Sequence, residues 1–73
     1  MTIANRIEKY KKLFNVLDSN ELEIQLNIRK AILKKYEDID IDKRSSIDYA
    51  VMKDTVEEIM ATLELQKERK EVD

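Results

Sequence analysis

The sequence predicts an all-α fold: a small antiparallel bundle of three helices at about residues 3–17, 20–37 and 46–70. Three observations carry this expectation. The 73 residues contain no Gly and no Pro, the two residues that most strongly interrupt regular structure. Apolar residues recur at steps of three and four along most of the chain, the period of one helix face. The positions between them are filled mainly by Glu, Lys, Gln and Arg, all good helix formers.

The first helix opens at Thr2, a fair capping residue. Ile3, Ile7, Tyr10, Phe14 and Leu17, joined by Leu13, form one apolar stripe. Glu8, Lys9, Lys11 and Lys12 take the other side. Asp18-Ser19-Asn20 then reads as a break. Asp18 and Glu21 have the spacing of a capping box, and Asn20 tolerates the left-handed conformation. Without that break, Glu21, Ile24, Ile28 and Ala31 would carry the first stripe onward in phase, and the chain would be one long helical hairpin. Three successive capping-type residues favour the break.

In the second helix Leu22, Ile24, Leu26 and Ile28 alternate with polar residues, which alone is a strand pattern. No second strand is available to pair with it, and an isolated strand is unstable. Wound as a helix, the segment carries two apolar stripes. Leu22, Leu26, Leu33 and Tyr36 lie on one side, and Ile24, Ile28, Ala31 and Ile32 on the other. Two apolar sides predict a helix held between two neighbours, the central helix of a bundle or of an interface.

Residues 37–44 form an acidic loop, and Ser45 with Asp48 opens the third helix. Its cleanest stripe is Tyr49, Met52, Val56, Ile59, Met60 and Leu63, which is expected to face the core. The same face continues as Gln66, Lys67 and Lys70, so the last two turns are expected to project, fray or meet a charged partner. A sparser row of Ile47, Val51, Ala61 and Leu65 lies opposite. It is expected to stay exposed and serve as a partner surface.

Composition narrows the function. The chain is expected to be a single helical domain over 1–73 with a charged end at 66–73, near the size where one core is marginal. With no Cys and no His, disulfide and Cys/His metal staples are absent, which leaves self-association and makes a homodimer the expectation. Acidic and basic residues nearly balance, 16 against 14, for a formal net charge of −2. The longest apolar runs, such as Tyr49-Ala50-Val51-Met52, fall far short of the ~20 residues a membrane span needs. The N-terminus lacks the apolar region of a secretion signal. These features predict a cytoplasmic protein with no membrane contact. The excess of Lys over Arg, ten to four, suits an AT-rich phage or mobile element.

Four clusters invite a chemical reading. Asp38, Asp40 and Asp42 alternate like the start of an EF-hand loop, but the sixth position is Lys43 rather than Gly and the twelfth is Tyr49 rather than Glu. Asp18-Ser19 resembles the first two residues of the Asp-Ser-Leu motif that carries phosphopantetheine in acyl carrier proteins. Here the third residue is Asn20 and the long preceding loop is missing, so helix capping accounts for the pair. Gln25 and Arg29, one turn apart between the stripes of the second helix, suit an anion or an ion pair with Glu57 or Asp54. Lys30, Lys34 and Lys35 with Arg29, and Lys9, Lys11 and Lys12, form basic faces of the kind nucleic acids contact, although the domain as a whole is acidic.

The resulting expectation is a non-catalytic protein–protein interaction module, an inhibitor, adaptor or regulatory subunit. It needs no metal, cofactor or small-molecule substrate. Its interface would be Ile47, Val51, Ala61 and Leu65. The alternatives are a nucleic-acid-binding regulator using Lys30, Lys34 and Lys35, and a self-assembling scaffold.

Overall fold

The computed structural model describes residues 3–72. Three α-helices run Ile3–Phe14 (α1), Ser19–Glu37 (α2) and Ser46–Val72 (α3), with one 3-10 turn at Ile41–Lys43. The all-helical three-helix bundle is therefore as the sequence indicates. Thr2, the expected first cap, lies outside the described residues, as does Asp73.

The break between the first two helices is real and is made by Asp18. Its backbone is extended, with φ −74° and ψ 172°, and its Oδ1 accepts the Glu21 N–H at 2.8 Å. That bond satisfies one of the amide groups a helix N-terminus leaves unpaired. α1 ends at Phe14, three residues earlier than its apolar stripe suggests. Asn15, Val16 and Leu17 are spent on the reversal, closed by a bond from the Leu17 N–H to the Phe14 carbonyl at 3.0 Å. No described residue has positive φ. The left-handed turn expected at Asn20 is not used, and Asn20 sits inside the first turn of α2.

The Glu21 amide bonded to Asp18, above all, holds the Asp18 carboxyl below its ordinary value. Its folded value is depressed, so its stabilisation is present at neutral pH and is lost as pH falls through the acidic range. Asp18→Asn should keep the cap and flatten that part of the acid-unfolding profile, whereas Asp18→Ala should lower the thermal midpoint by several degrees at pH 7. Thermal unfolding followed by circular dichroism at pH 7 and pH 3 checks both.

α3 opens on a reciprocal cap. The Ser45 N–H donates to Asp48 Oδ2 at 2.9 Å and the Asp48 N–H to Ser45 Oγ at 3.2 Å, satisfying two orphan amides at once. Ahead of it, Arg44 folds back and donates to the carbonyls of Ile39 and Glu37, at 2.9 and 2.8 Å. This ties the acidic loop to the end of α2.

The central helix is α3, not α2. α1 and α2 each pack along α3 and hardly touch one another. Arg6 meets Glu57 while Lys11 meets Glu64 and Glu68, so α1 runs parallel to α3. Glu23 meets Gln66 while Arg29 meets Glu58, so α2 runs antiparallel. At 1.5 Å per residue a 27-residue helix is about 40 Å long, and it sets the long axis of a 45 × 27 × 17 Å body. The radius of gyration is 13.5 Å, against about 11 Å for a compact domain of this length.

The face of α3 that turns inward is the reverse of the one its hydrophobicity suggests. Ala61 and Leu65, expected outside, are 0% and 5% exposed, and Val51 is half-buried. Tyr49, Val56, Met60 and Leu63, expected inside, are 40–47% exposed. Two physical causes decide this. Small residues on the inner side, Thr55, Ala61 and Thr62 (all buried), let two helices approach one. The two threonines satisfy their hydroxyls on the preceding turn, donating to the Val51 and Glu58 carbonyls at 2.7 and 2.9 Å. The inner side is also flanked by the acidic residues that Arg6, Lys11 and Arg29 need. Pattern strength favours one face; close approach and charge pairing favour the other.

The last two turns of α3 are likewise tied down rather than projecting. Arg69 donates to the Leu17 carbonyl at 2.7 Å and the Asn15 carbonyl at 3.3 Å, capping the end of α1 from across the bundle. Gln66 donates to Glu23 at 2.8 Å.

Candidate interaction surface

The buried apolar core of the described residues is Ile7, Leu22, Leu26, Ala61 and Leu65. Against those five, eleven large apolar side chains are exposed. Some stand singly, such as Val16 and Ile41, and isolated exposed apolar residues are ordinary. Two groups are rows.

On α2, Ile24, Ile28 and Ile32 are 49%, 47% and 38% exposed at successive turns. Leu22 and Leu26 on the opposite side are buried, with Leu33 and Tyr36 half-buried. The two stripes of α2 are as the sequence shows, but only one has a neighbour. On α3, Tyr49, Val56, Met60 and Leu63 form the second row, with Met52 and Ile59 half-buried beside them. Leu33 and Glu37 of α2 border the N-terminal half of this row. Together with Tyr49, Met52, Lys53, Val56, Glu57 and Met60 they line an open groove of about 450 Å³.

Of the expected interface set, only Ile47 is freely exposed, at 75%. Ala61 and Leu65 are core residues, and the Val51 carbonyl is bonded to Thr55. The exposure expected of this row is therefore met at Ile47 alone.

Gln25 and Arg29 do come together. Arg29 Nε donates to Glu58 Oε2 at 2.6 Å, its Nη1 donates to Gln25 Oε1, and its guanidinium stacks 4.8 Å from the Phe14 ring centre. The partner is Glu58, not the expected Glu57 or Asp54. Arg29 thereby joins all three helices, and its charge is answered within the protein rather than held for an external anion. Glu57 belongs instead to Arg6, at 3.4 Å, and its other oxygen, Oε2, is buried without a hydrogen-bond partner. Tyr10 packs beside this acidic row; burial first, and then the Asp54, Glu58 and Glu57 carboxylates, push its hydroxyl above the ordinary value.

The basic faces are unequal. Lys11 is taken by Glu8, Glu64 and Glu68, and its hydrogen bond to Glu68, above all, holds its ammonium charged well past the usual lysine range. Lys30, Lys34 and Lys35 are exposed. At 100° per residue, Lys30 and Lys34 fall close together on α2 while Lys35 turns about 100° away, so no single face gathers all three.

Among the described residues no group of three or more His, Cys, Asp or Glu could hold a metal ion. No described helix is long and apolar enough to cross a membrane. The chain matches no family model, and neither a curated protein nor a solved structure matches it.

Proposed function

We propose that this chain is a non-catalytic protein–protein interaction module, an inhibitor, adaptor or regulatory subunit, that works through the outward apolar rows of α2 and α3. The observation that carries the reading is the number of large apolar side chains left outside: among the described residues eleven are exposed, against four buried, Ile7, Leu22, Leu26 and Leu65. Rows at one residue per turn are what an amphipathic partner reads. The surrounding charge, 41% of the chain, forms a polar rim that governs specificity and encounter rate more than affinity.

Ile28, in the middle of the α2 row, is the test position. A tagged protein used as bait in a cell lysate should retain a second protein in stoichiometric amount, and Ile28→Glu should release it without loss of helicity. A partner held equally by Ile28→Glu and by Val56→Glu would overturn the role of both rows. Recovery of nothing beyond untagged copies of the chain would replace the reading with a self-assembling structural protein.

A further inference from the structure

We infer that the α3 row is the docking face for a second copy of this chain, packed antiparallel about a two-fold axis at Val56. The inference rests on the reading of α3 as an interaction surface and names what covers it.

The first argument is spacing. Tyr49, Met52, Val56, Met60 and Leu63 follow one another at steps of three, four, four and three. That order reads the same from either end. Two such helices laid antiparallel place Val56 against Val56, Met52 against Met60, and Tyr49 against Leu63, so each of these five meets an apolar residue, while the half-buried Ile59 falls against Lys53. A two-fold interface demands this self-complementarity, since residue i must suit residue j and j must suit i.

The second argument is charge. In this register Ser46, the first residue of α3, lies against Gln66, so Lys67 and Lys70 extend beyond it toward the partner copy's loop. The loop ahead of α3 carries Glu37, Asp38, Asp40 and Asp42 against Lys43 and Arg44, four acids to two bases, for a net charge of −2. At the far end Lys67 and Lys70 extend the row and are exposed. Glu64 and Glu68 are turned aside to Lys11 of α1. Each copy therefore offers an acidic end and a basic end, and the antiparallel arrangement matches them twice. A parallel arrangement would set like against like.

The third argument is area. The chain exposes 5420 Å², against about 4,700 Å² for a folded monomer of this mass. The excess goes with the elongated 45 × 27 × 17 Å shape, which leaves a long face to supply the ~800 Å² that each partner contributes to a standard interface.

Sedimentation equilibrium, at concentrations well above a micromolar Kd, should give twice the 8.7 kDa chain mass. Val56→Glu should give the single-chain mass with unchanged helical circular dichroism, since Val56 is 40% exposed and its loss leaves the core intact. Orientation is read with single cysteines, which have no native thiol to compete with. Under mild oxidation Val56→Cys should cross-link to itself. Tyr49→Cys alone should not, but mixed with Leu63→Cys it should. Lys67→Glu combined with Lys70→Glu, which removes the basic end, should weaken the dimer several-fold. A wild-type protein that stays at the single-chain mass, a Val56→Glu dimer, or self-cross-linking of Tyr49→Cys would each overturn the inference. The α2 row is untouched by these changes. A monomeric wild type that still loses its partner on Ile28→Glu would end the dimer and leave the proposed function standing.

Discussion

Leu65→Ala should remove most of this protein's stability at room temperature, and Leu63→Ala, two residues away, should leave it nearly intact. The pair decides which side of α3 faces inward. Leu65 is 5% exposed and Leu63 45%. Truncating a buried leucine costs about 2–5 kcal/mol, from lost apolar burial plus the cavity left behind. A domain this small with five buried apolar residues has a total stability near the lower end of the ~5–15 kcal/mol range, so one such cavity consumes most of it. At a side chain already half in water the same truncation should cost under about 1 kcal/mol. Leu22→Ala, at a residue with no exposure, should behave like Leu65→Ala, and Ile24→Ala on the reverse of α2 like Leu63→Ala. Urea titrations of the four variants, at concentrations below self-association, make the comparison. Equal losses at Leu63 and Leu65 would mean that α3 is rotated relative to this description.

The second large effect belongs to Arg6. Its guanidinium pairs with Glu57 at 3.4 Å, a carboxylate whose side chain is only 4% exposed and whose second oxygen is buried without a hydrogen-bond partner. Breaking a buried ion pair by removing one member leaves the other charge uncompensated, which costs about 3–5 kcal/mol when both are fully buried. The Arg6 side chain is 37% exposed, and water screens it, so Arg6→Ala should cost about 1–3 kcal/mol. Glu57→Gln removes the charge that needs an answer and should be milder. Arg6→Ala combined with Glu57→Gln should recover much of the loss, with a coupling on the order of 1 kcal/mol in a double-mutant cycle. Strict additivity would show that the pair is not coupled in the folded protein.

How legible was this in the sequence? The number of helices, their order and the break at Asp18 follow from local chemistry. The apolar period, the absence of Gly and Pro and the two caps each act within a few residues, so they can be read without knowing the rest of the fold. The second opening, Ser45 with Asp48, is of the same kind. The arrangement was not legible, because it depends on which of two apolar faces of α3 wins. Tyr49, Val56 and Leu63 outweigh Val51, Ala61 and Leu65 in bulk, and bulk alone points them inward. What reverses the outcome is not local. It is the fit of α1 and α2 against Thr55, Ala61 and Thr62, and the match of Arg6, Lys11 and Arg29 to Glu57, Glu58, Glu64 and Glu68. Those pairings join residues 29 to 57 positions apart, and a periodic pattern carries no trace of them. The central place of α3 was missed for the same reason. α2 shows two apolar sides to the eye, yet only one meets a neighbour.

The clasp that Arg69 makes on the carbonyls of Leu17 and Asn15 has a bearing on how the chain is made. It joins residues more than fifty positions apart, and α1 and α2 barely support each other without α3. A ribosome that has released only the first forty residues presents two helices with no common partner. Folding must therefore wait until most of α3 has emerged. A truncation at residue 60, which keeps every residue of α1 and α2, should be degraded in the cell as promptly as an unstructured peptide.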